Sequence, residues 1–273
     1  MRKRSVLLAL LLLAGCGMAE PTRPATTAPG PKRVFRHRTP PAQDLIGMRL
    51  VSAQRDWPGP RLPVAPPPRT IDCSRLKCVA LTFDDGPGEE TGRLLDILAA
   101  HHARATFFVL GRMVDQDETT RGYVRRMVSE GHEIGNHSWS HPALTGLSAG
   151  GVREELDRTQ QVVMEVAGVR MRIMRPPYGA TGQGVEKVTR DAGLAQILWT
   201  LDTFDWRDRN ADTVAKRAAQ AKPGDIVLLH DIHATTIEAV PRILAELDRK
   251  GYTYVTVSEL LGDVTPGKQY VKR

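Results

Sequence analysis

The chain has 273 residues, 38 Lys/Arg against 31 Asp/Glu and a formal net charge of +7, a length that holds one large domain or two small ones. With 41% apolar and 25% charged residues, the composition excludes a disordered, collagenous or multi-span membrane chain. The basicity is confined to the front: residues 1–72 hold 12 Lys/Arg against 4 Asp/Glu, and residues 73–273 hold 26 against 27. A neutral globular part argues against nucleic-acid binding, which needs a cationic face on the fold. The basic front suits an anionic lipid or wall polymer, or is a solubilising tail.

Residues 1–4 are cationic, residues 6–14 form an uninterrupted apolar run, and small residues precede Cys16. This pattern is an export signal, and the run is too short to span a bilayer comfortably. Leu13-Ala14-Gly15-Cys16 resembles the lipobox of bacterial lipoproteins. The resemblance implies that residues 1–15 are removed, that Cys16 is lipidated, and that the protein is anchored on the outer face of the cell membrane; simple secretion is the alternative. Multiple acyl chains on one cysteine make a stable anchor. Residues 16–72 read as a tether, because 12 of the 19 prolines precede residue 73, among them Pro40-Pro41 and Pro66-Pro67-Pro68; a small apolar island, Leu45, Ile46, Met48, Leu50 and Val51, interrupts it. With Cys16 assigned to lipid, Cys73 and Cys78 remain. In an exported chain a local disulfide is favoured over two free cysteines, and two thiols alone make a poor zinc site.

From Val79 onward, short β-branched or aromatic runs alternate with amphipathic stretches. The pattern predicts seven strands, at 79–83, 105–110, 132–135, 172–174, 196–199, 225–229 and 252–257. It predicts helices at 89–101, 119–130, 148–167, 184–192, 212–220 and 235–250, with Pro241 kinking or restarting the last. No solenoid repeat, GxGxxG or Walker loop is present in the sequence, which disfavours nucleotide chemistry. Alternation implies a parallel sheet under helices, open or closed into a barrel. Periodicity cannot separate these, but the unusual polar residues follow the ends of five strands: Asp84 and Asp85, His137 and His141, Arg175, Asp202 and Asp205, then His230. Convergence on one rim favours a barrel mouth. The expected domain is 73–265, with a short basic tail at 266–273.

Asp84-Asp85-Gly86-Pro87 ends a buried strand with two carboxylates and a forced turn; alone it reads equally as a capping or Asx turn. His137 and His141 are four apart, a spacing that on one helical turn aims both rings at one point. Two histidines and a carboxylate make a metal site with positions left for water and substrate. His37, His101, His102 and His132 are read as ordinary surface or core residues.

The stretch from Cys78 to Leu261 resembles the NodB-homology polysaccharide deacetylases, carbohydrate esterase family 4. Five motifs occur in order: Thr-Phe-Asp-Asp-Gly-Pro at 82–87, His-Ser-Trp-Ser-His at 137–141, Arg-Pro-Pro-Tyr-Gly at 175–179, Asp-Thr-Phe-Asp-Trp at 202–206 and Leu-Leu-His-Asp at 228–231. The resemblance implies an α/β fold, a distorted (β/α) barrel of about seven parallel strands. It also implies that Asp85, His137 and His141 bind a divalent metal, zinc in most members with cobalt as an alternative, and that Asp84 is the general base, aimed by Arg175. His230 would protonate the leaving amine, oriented by Asp205; the Tyr178 amide would stabilise the oxyanion. Trp206 and Leu228 would hold the acetyl methyl, Trp139 would contribute to the rim, and Asp202, Asp231 and His233 would have supporting roles. The implied activity is removal of acetyl groups from N-acetylated amino sugars of peptidoglycan or a chitin-type polymer, with peptidoglycan N-acetylglucosamine favoured by the tether. An acetylxylan-type O-acetyl esterase and a non-catalytic glycan-binding lipoprotein are the alternatives.

Overall fold

The computed structural model describes residues 62–273. The export signal, Cys16, the apolar island and the tether as far as residue 61 lie outside the described residues. The first half of the described chain comprises β1 (Lys77–Asp84), α1 (Thr91–Ala100), β2 (Thr106–Val109), α2 (Gly111–Val114), α3 (Glu118–Ser129), β3 (Glu133–Asn136), α4 (Ala149–Ala167) and β4 (Ile173–Met174). The second half comprises α5 (Gln183–Asp191), β5 (Ala195–Ile197), β6 (Leu201–Asp202), α6 (Asp205–Asp208), α7 (Ala211–Ala218), β7 (Ile226–His230), α8 (Ala234–Arg249), β8 (Tyr252–Tyr254), α9 (Val257–Leu261) and β9 (Gln269–Tyr270). Strand order is β6-β7-β1-β2-β3-β4-β5-β9, with β8 on the start of β1. Every ladder is parallel. The sheet is a half-barrel wrapped by helices.

Two strands exceed the seven expected. The run predicted at 196–199 serves both ends of the sheet: Leu198 N–H donates to Tyr270 O and Thr200 N–H to Ile226 O. Its backbone therefore turns between two neighbours and divides into β5 and β6. The other addition, β9, lies in the stretch read as a basic tail; it pairs with β5, and Lys272 bridges to Asp225. Hydrophobic periodicity misses so short a strand.

Alternation along the strands sorts the interior into two layers. Val79, Leu81 and Phe83 of β1 join Phe107, Val109, Val227 and Leu229 in the larger core beneath the helices. Cys78 and Ala80 join Phe108, Ile173, Ile197 and Ile226 in a smaller core inside the barrel. The inward set of β1 continues through Thr82 to Asp84, and that of β7 through Leu228 to His230, so the same period that fills the barrel carries polar groups to its mouth. Helix α8 runs through Pro241 without a restart, restart being one of the two outcomes, kink or restart, expected there. Its face of Ile237, Val240, Ile243, Leu244 and Leu247 is fully buried, which offsets the lost backbone hydrogen bond.

At the other end, α9 closes the barrel: Val257 and Leu260 join the inner core, and Ser258 N–H donates to Glu133. Residues 62–72, read from sequence as tether, belong to this closure. Leu62 packs over Gly168 and Pro66 over Gly131. Arg69 donates to both Glu259 carboxylate oxygens, at 2.9 and 2.6 Å, and to Tyr254 O at 3.1 Å. Cys73 is disulfide-bonded to Cys78. The folded unit thus begins before residue 73, because a proline-rich composition does not reveal that the segment is strapped across a barrel end. Arg69→Ala is expected to lower unfolding free energy by about 1–3 kcal/mol, read from urea denaturation; an unchanged midpoint would mean that the strap is unattached.

Candidate active site

The site starts from strand register. Asp84 of β1 lies level with His230 of β7, and neighbouring residues of parallel strands project to the same face. Beneath them lies Arg175, a fully buried guanidinium. Its Nη1 donates to Asp84 Oδ1 and Thr82 Oγ1, both at 2.8 Å, while Nε and Nη2 donate to the carbonyls of Ile197 and Leu198, both at 3.1 Å. Its plane lies 4.2 Å over the Phe108 ring. With Oδ1 engaged, Asp84 Oδ2 faces the cluster described next, 3.7 Å from His137 Nε2.

Asp85, the next residue, takes a left-handed conformation (φ 75), which Asp tolerates better than most side chains. Its Oδ1 lies 3.4 Å from both His137 Nε2 and His141 Nε2; ligating atoms of the three residues all fall within 4.8 Å of one another. Asp85 Oδ1 is buried without a hydrogen-bond partner, an orphan that calls for an explanation. His137 Nδ1 donates to Arg175 O at 2.7 Å, which directs the Nε2 lone pair toward Asp85. Burial, then proximity to His137, pushes His141 below its ordinary value and favours the neutral imidazole. Burial works against the Asp85 carboxylate, but the imidazoles of His137, His230 and His141 outweigh it and hold it well below the usual range. A carboxylate and two imidazole nitrogens grouped this closely are the donor set a divalent cation takes, so the three residues fit such an ion.

The helical turn expected across 137–141 is not formed. The two rings converge because Ser138 (φ 71) and His141 (φ 65) are both left-handed. The loop is pinned by Asn136, which accepts from Ser138 N–H, and by Glu155, which accepts from the Trp139 and Ser140 amides.

Across the mouth, Asp205 is fully buried. Its Oδ1 accepts from His230 Nδ1 at 2.9 Å, and its Oδ2 from the His230 amide and Thr236 Oγ1, both at 2.7 Å. Burial disfavours the imidazolium, yet the hydrogen bond and charge of Asp205, with Asp84 and Asp85, raise His230 to about 9. In the metal-free protein this stabilisation is fully present below the ordinary histidine value near 6.5 and is lost as pH rises through about 9; the shift corresponds to roughly 3 kcal/mol. Urea midpoints are expected to fall between pH 6.5 and 9, with His230→Gln removing most of that slope.

Asp84, Asp85, His137, His141 and His230 open into one cavity of about 390 Å³, also lined by Pro176, Tyr178, Trp199, Asp202, Trp206 and Leu228. Tyr178 is left-handed (φ 61) between two prolines and Gly179, and its ring packs 4.6 Å from that of His141. Its N–H donates to no group among the described residues.

A family model for polysaccharide deacetylases matches residues 72–197. A peptidoglycan-N-acetylglucosamine deacetylase, PgdA, of Listeria monocytogenes is 45% identical over 197 residues, which are 71% of this chain and 41% of that protein. The peptidoglycan-N-acetylmuramic acid deacetylase PdaA of Bacillus subtilis is 31% identical over 93% of this chain and 92% of its own length. A solved T48 deacetylase with substrate superposes with TM-score 0.69 at 44% identity, covering 73% of this chain and 99% of that one. The chain belongs to the polysaccharide deacetylase family, carbohydrate esterase family 4. It spans about two fifths of the length of the Listeria relative.

Within this deacetylase fold all five sequence motifs meet at one end of the barrel. Trp139 departs from its expected place on the rim: it turns inward, stacks 4.0 Å beneath the Arg158 guanidinium and packs on Gly111. Trp199 and Pro176 line the cavity and were not singled out from sequence; an aromatic residue ending a strand was the available signal. Asp202, given only a supporting role, also lines the cavity, whereas His233 does not. Asp231 is buried and outside the cavity lining, and burial pushes its carboxyl up to about 7.

Proposed function

We propose that this protein is a zinc-dependent hydrolase that removes acetyl groups from N-acetylated amino sugars, with N-acetylglucosamine of peptidoglycan as substrate. The carrying observation is the grouping in one cavity of a guanidinium-paired carboxylate, a carboxylate–bis-imidazole cluster with an orphaned oxygen, and a carboxylate-paired imidazolium. Asp85, His137 and His141 would hold the cation. When bound, it polarises the acetyl carbonyl and acidifies water. Asp84 Oδ2 takes the proton of the attacking water, its partner oxygen fixed by Arg175. The Tyr178 N–H faces the oxyanion, and a rigid donor costs little reorganisation. His230 delivers its proton to the departing amine while Asp205 keeps the imidazolium charged and aimed. Leu228 and Trp206 enclose the methyl group. The peptidoglycan assignment draws on the relatives PgdA and PdaA.

The front of the chain completes the reading: export, lipid on Cys16 and attachment to the outer face of a bacterial membrane place the enzyme beside the wall. A Cys16→Ser chain that stayed with membranes would refute the anchor. The activity is tested by acetate release from the full chain in detergent, stripped with chelator and reloaded with zinc, on chitooligosaccharides, peptidoglycan strands and acetylated xylan in parallel. Zinc-dependent release from N-acetyl substrates is expected. Release from xylan alone would make the protein an esterase, and silence on all three would leave a glycan-binding role.

A further inference from the structure

One buried carboxyl takes no part in the chemistry just derived. Asp231 follows His230 at the end of β7 and is 1% exposed. Its Oδ2 accepts from Thr91 Oγ1 at 2.5 Å, and that hydroxyl accepts from Gly88 N–H at 2.8 Å. Its Oδ1 is buried with no partner. The carboxyl lies flat against Gly86: a Cβ there would stand 2.2 to 2.5 Å from Oδ2, Oδ1 and Cγ. Gly86 is thus required by close approach, and its neighbour is the left-handed Asp85. On the opposite side the same turn is held by Asp85 N–H donating to Phe108 O at 3.2 Å and Leu110 N–H to Gly86 O at 3.0 Å. Residues 85–88 are therefore clamped between β2 with the following Leu110 on one side and Asp231 with Thr91 on the other.

We propose that Asp231 is a positioning residue for the metal ligand Asp85: by pressing on Gly86 and tying Gly88 through Thr91, it sets where Asp85 Oδ1 stands relative to His137 and His141. The inference rests on the reading of those three residues as metal ligands. A cation accepts ligand distances within a few tenths of an ångström, so a turn free to relax weakens the site without touching a ligand. The role is one of shape. A side chain of the same outline that accepts from Thr91 fills it without carrying charge.

Zinc affinity of the chelator-stripped full chain, measured by competition with a chromophoric chelator, provides the test. Asp231→Ala is expected to weaken zinc binding about 10- to 100-fold, the range for groups that support ligands, and to lower kcat more than it raises KM. Asp231→Asn is expected to restore most of the affinity. Thr91→Val, which keeps the carboxyl and removes its donor, is expected to fall between them, and it decides the matter if Asp231→Ala does not fold. Circular dichroism and Tm of each variant separate lost positioning from lost fold. Wild-type affinity in Asp231→Ala, or in Thr91→Val should Asp231→Ala not fold, would overturn the proposal. Equal losses in Asp231→Ala and Asp231→Asn would overturn it in favour of a role for charge. A wild-type chain that takes up no zinc would overturn the ligand assignment itself.

Discussion

Asp84→Asn is expected to lower kcat for acetate release by about 10²- to 10⁴-fold, the usual contribution of a general base, while zinc affinity stays near that of the wild type. Asparagine occupies the same volume and its amide oxygen still accepts from Arg175, but it cannot take a proton from water. Asp84 lies outside the Asp85–His137–His141 group, so metal uptake and turnover should separate. Steady-state acetate release and chelator competition on the same preparation check both halves. A kcat within tenfold of wild type would place the base elsewhere in the cavity.

Arg175→Ala is expected to produce the largest loss of stability from a single substitution, about 3–5 kcal/mol, because removing one partner of a buried ion pair strands the other. The guanidinium is fully buried and donates four hydrogen bonds, to Asp84, Thr82, Ile197 O and Leu198 O. Its loss leaves the Asp84 carboxylate without a counter-charge and two carbonyls without a donor. For a domain of this size, roughly 2–4 °C of Tm accompany each kcal/mol, so a fall of roughly 10 °C is expected in thermal melts of the metal-free protein. Arg175→Lys should recover only part of it, since one ammonium cannot reach all four acceptors. A Tm within about 2 °C of wild type for the alanine variant would show that the pair is dispensable to the fold.

Much of this was legible from residue order. Strand–helix alternation fixes a parallel sheet under helices, and polar residues placed just after apolar runs mark the end of the barrel where the chemistry gathers, since only strand ends escape the demand for burial on both faces. Asp84, Asp85, His137, His141, Arg175, Tyr178, Asp205, Trp206, Leu228 and His230 could be named from five short motifs. The motifs do not reveal how the residues meet. His137 and His141 suggested a helical turn, but two left-handed residues in a loop aim the rings, because φ is not written in side-chain spacing. Trp139 sits inside a motif and points away from the cavity, while Trp199 sits outside every motif and lines it; neither direction follows from periodicity.

What the order of residues determined by itself is local: which segments extend or coil, which faces are apolar, and which atoms can ionise or ligate. What the tertiary structure alone decided is non-local. Asp84 and His230 stand level because β1 and β7, about 146 positions apart, pair in one register. Arg175 is charged and buried because β1, β5 and Leu198, which follows β5, supply its acceptors together. Residues 62–72 belong to the domain because α9 and two glycines form the surface they cover. Each depends on ladder hydrogen bonds and close packing between distant segments. Those interactions have no counterpart in the chain until it has closed on itself.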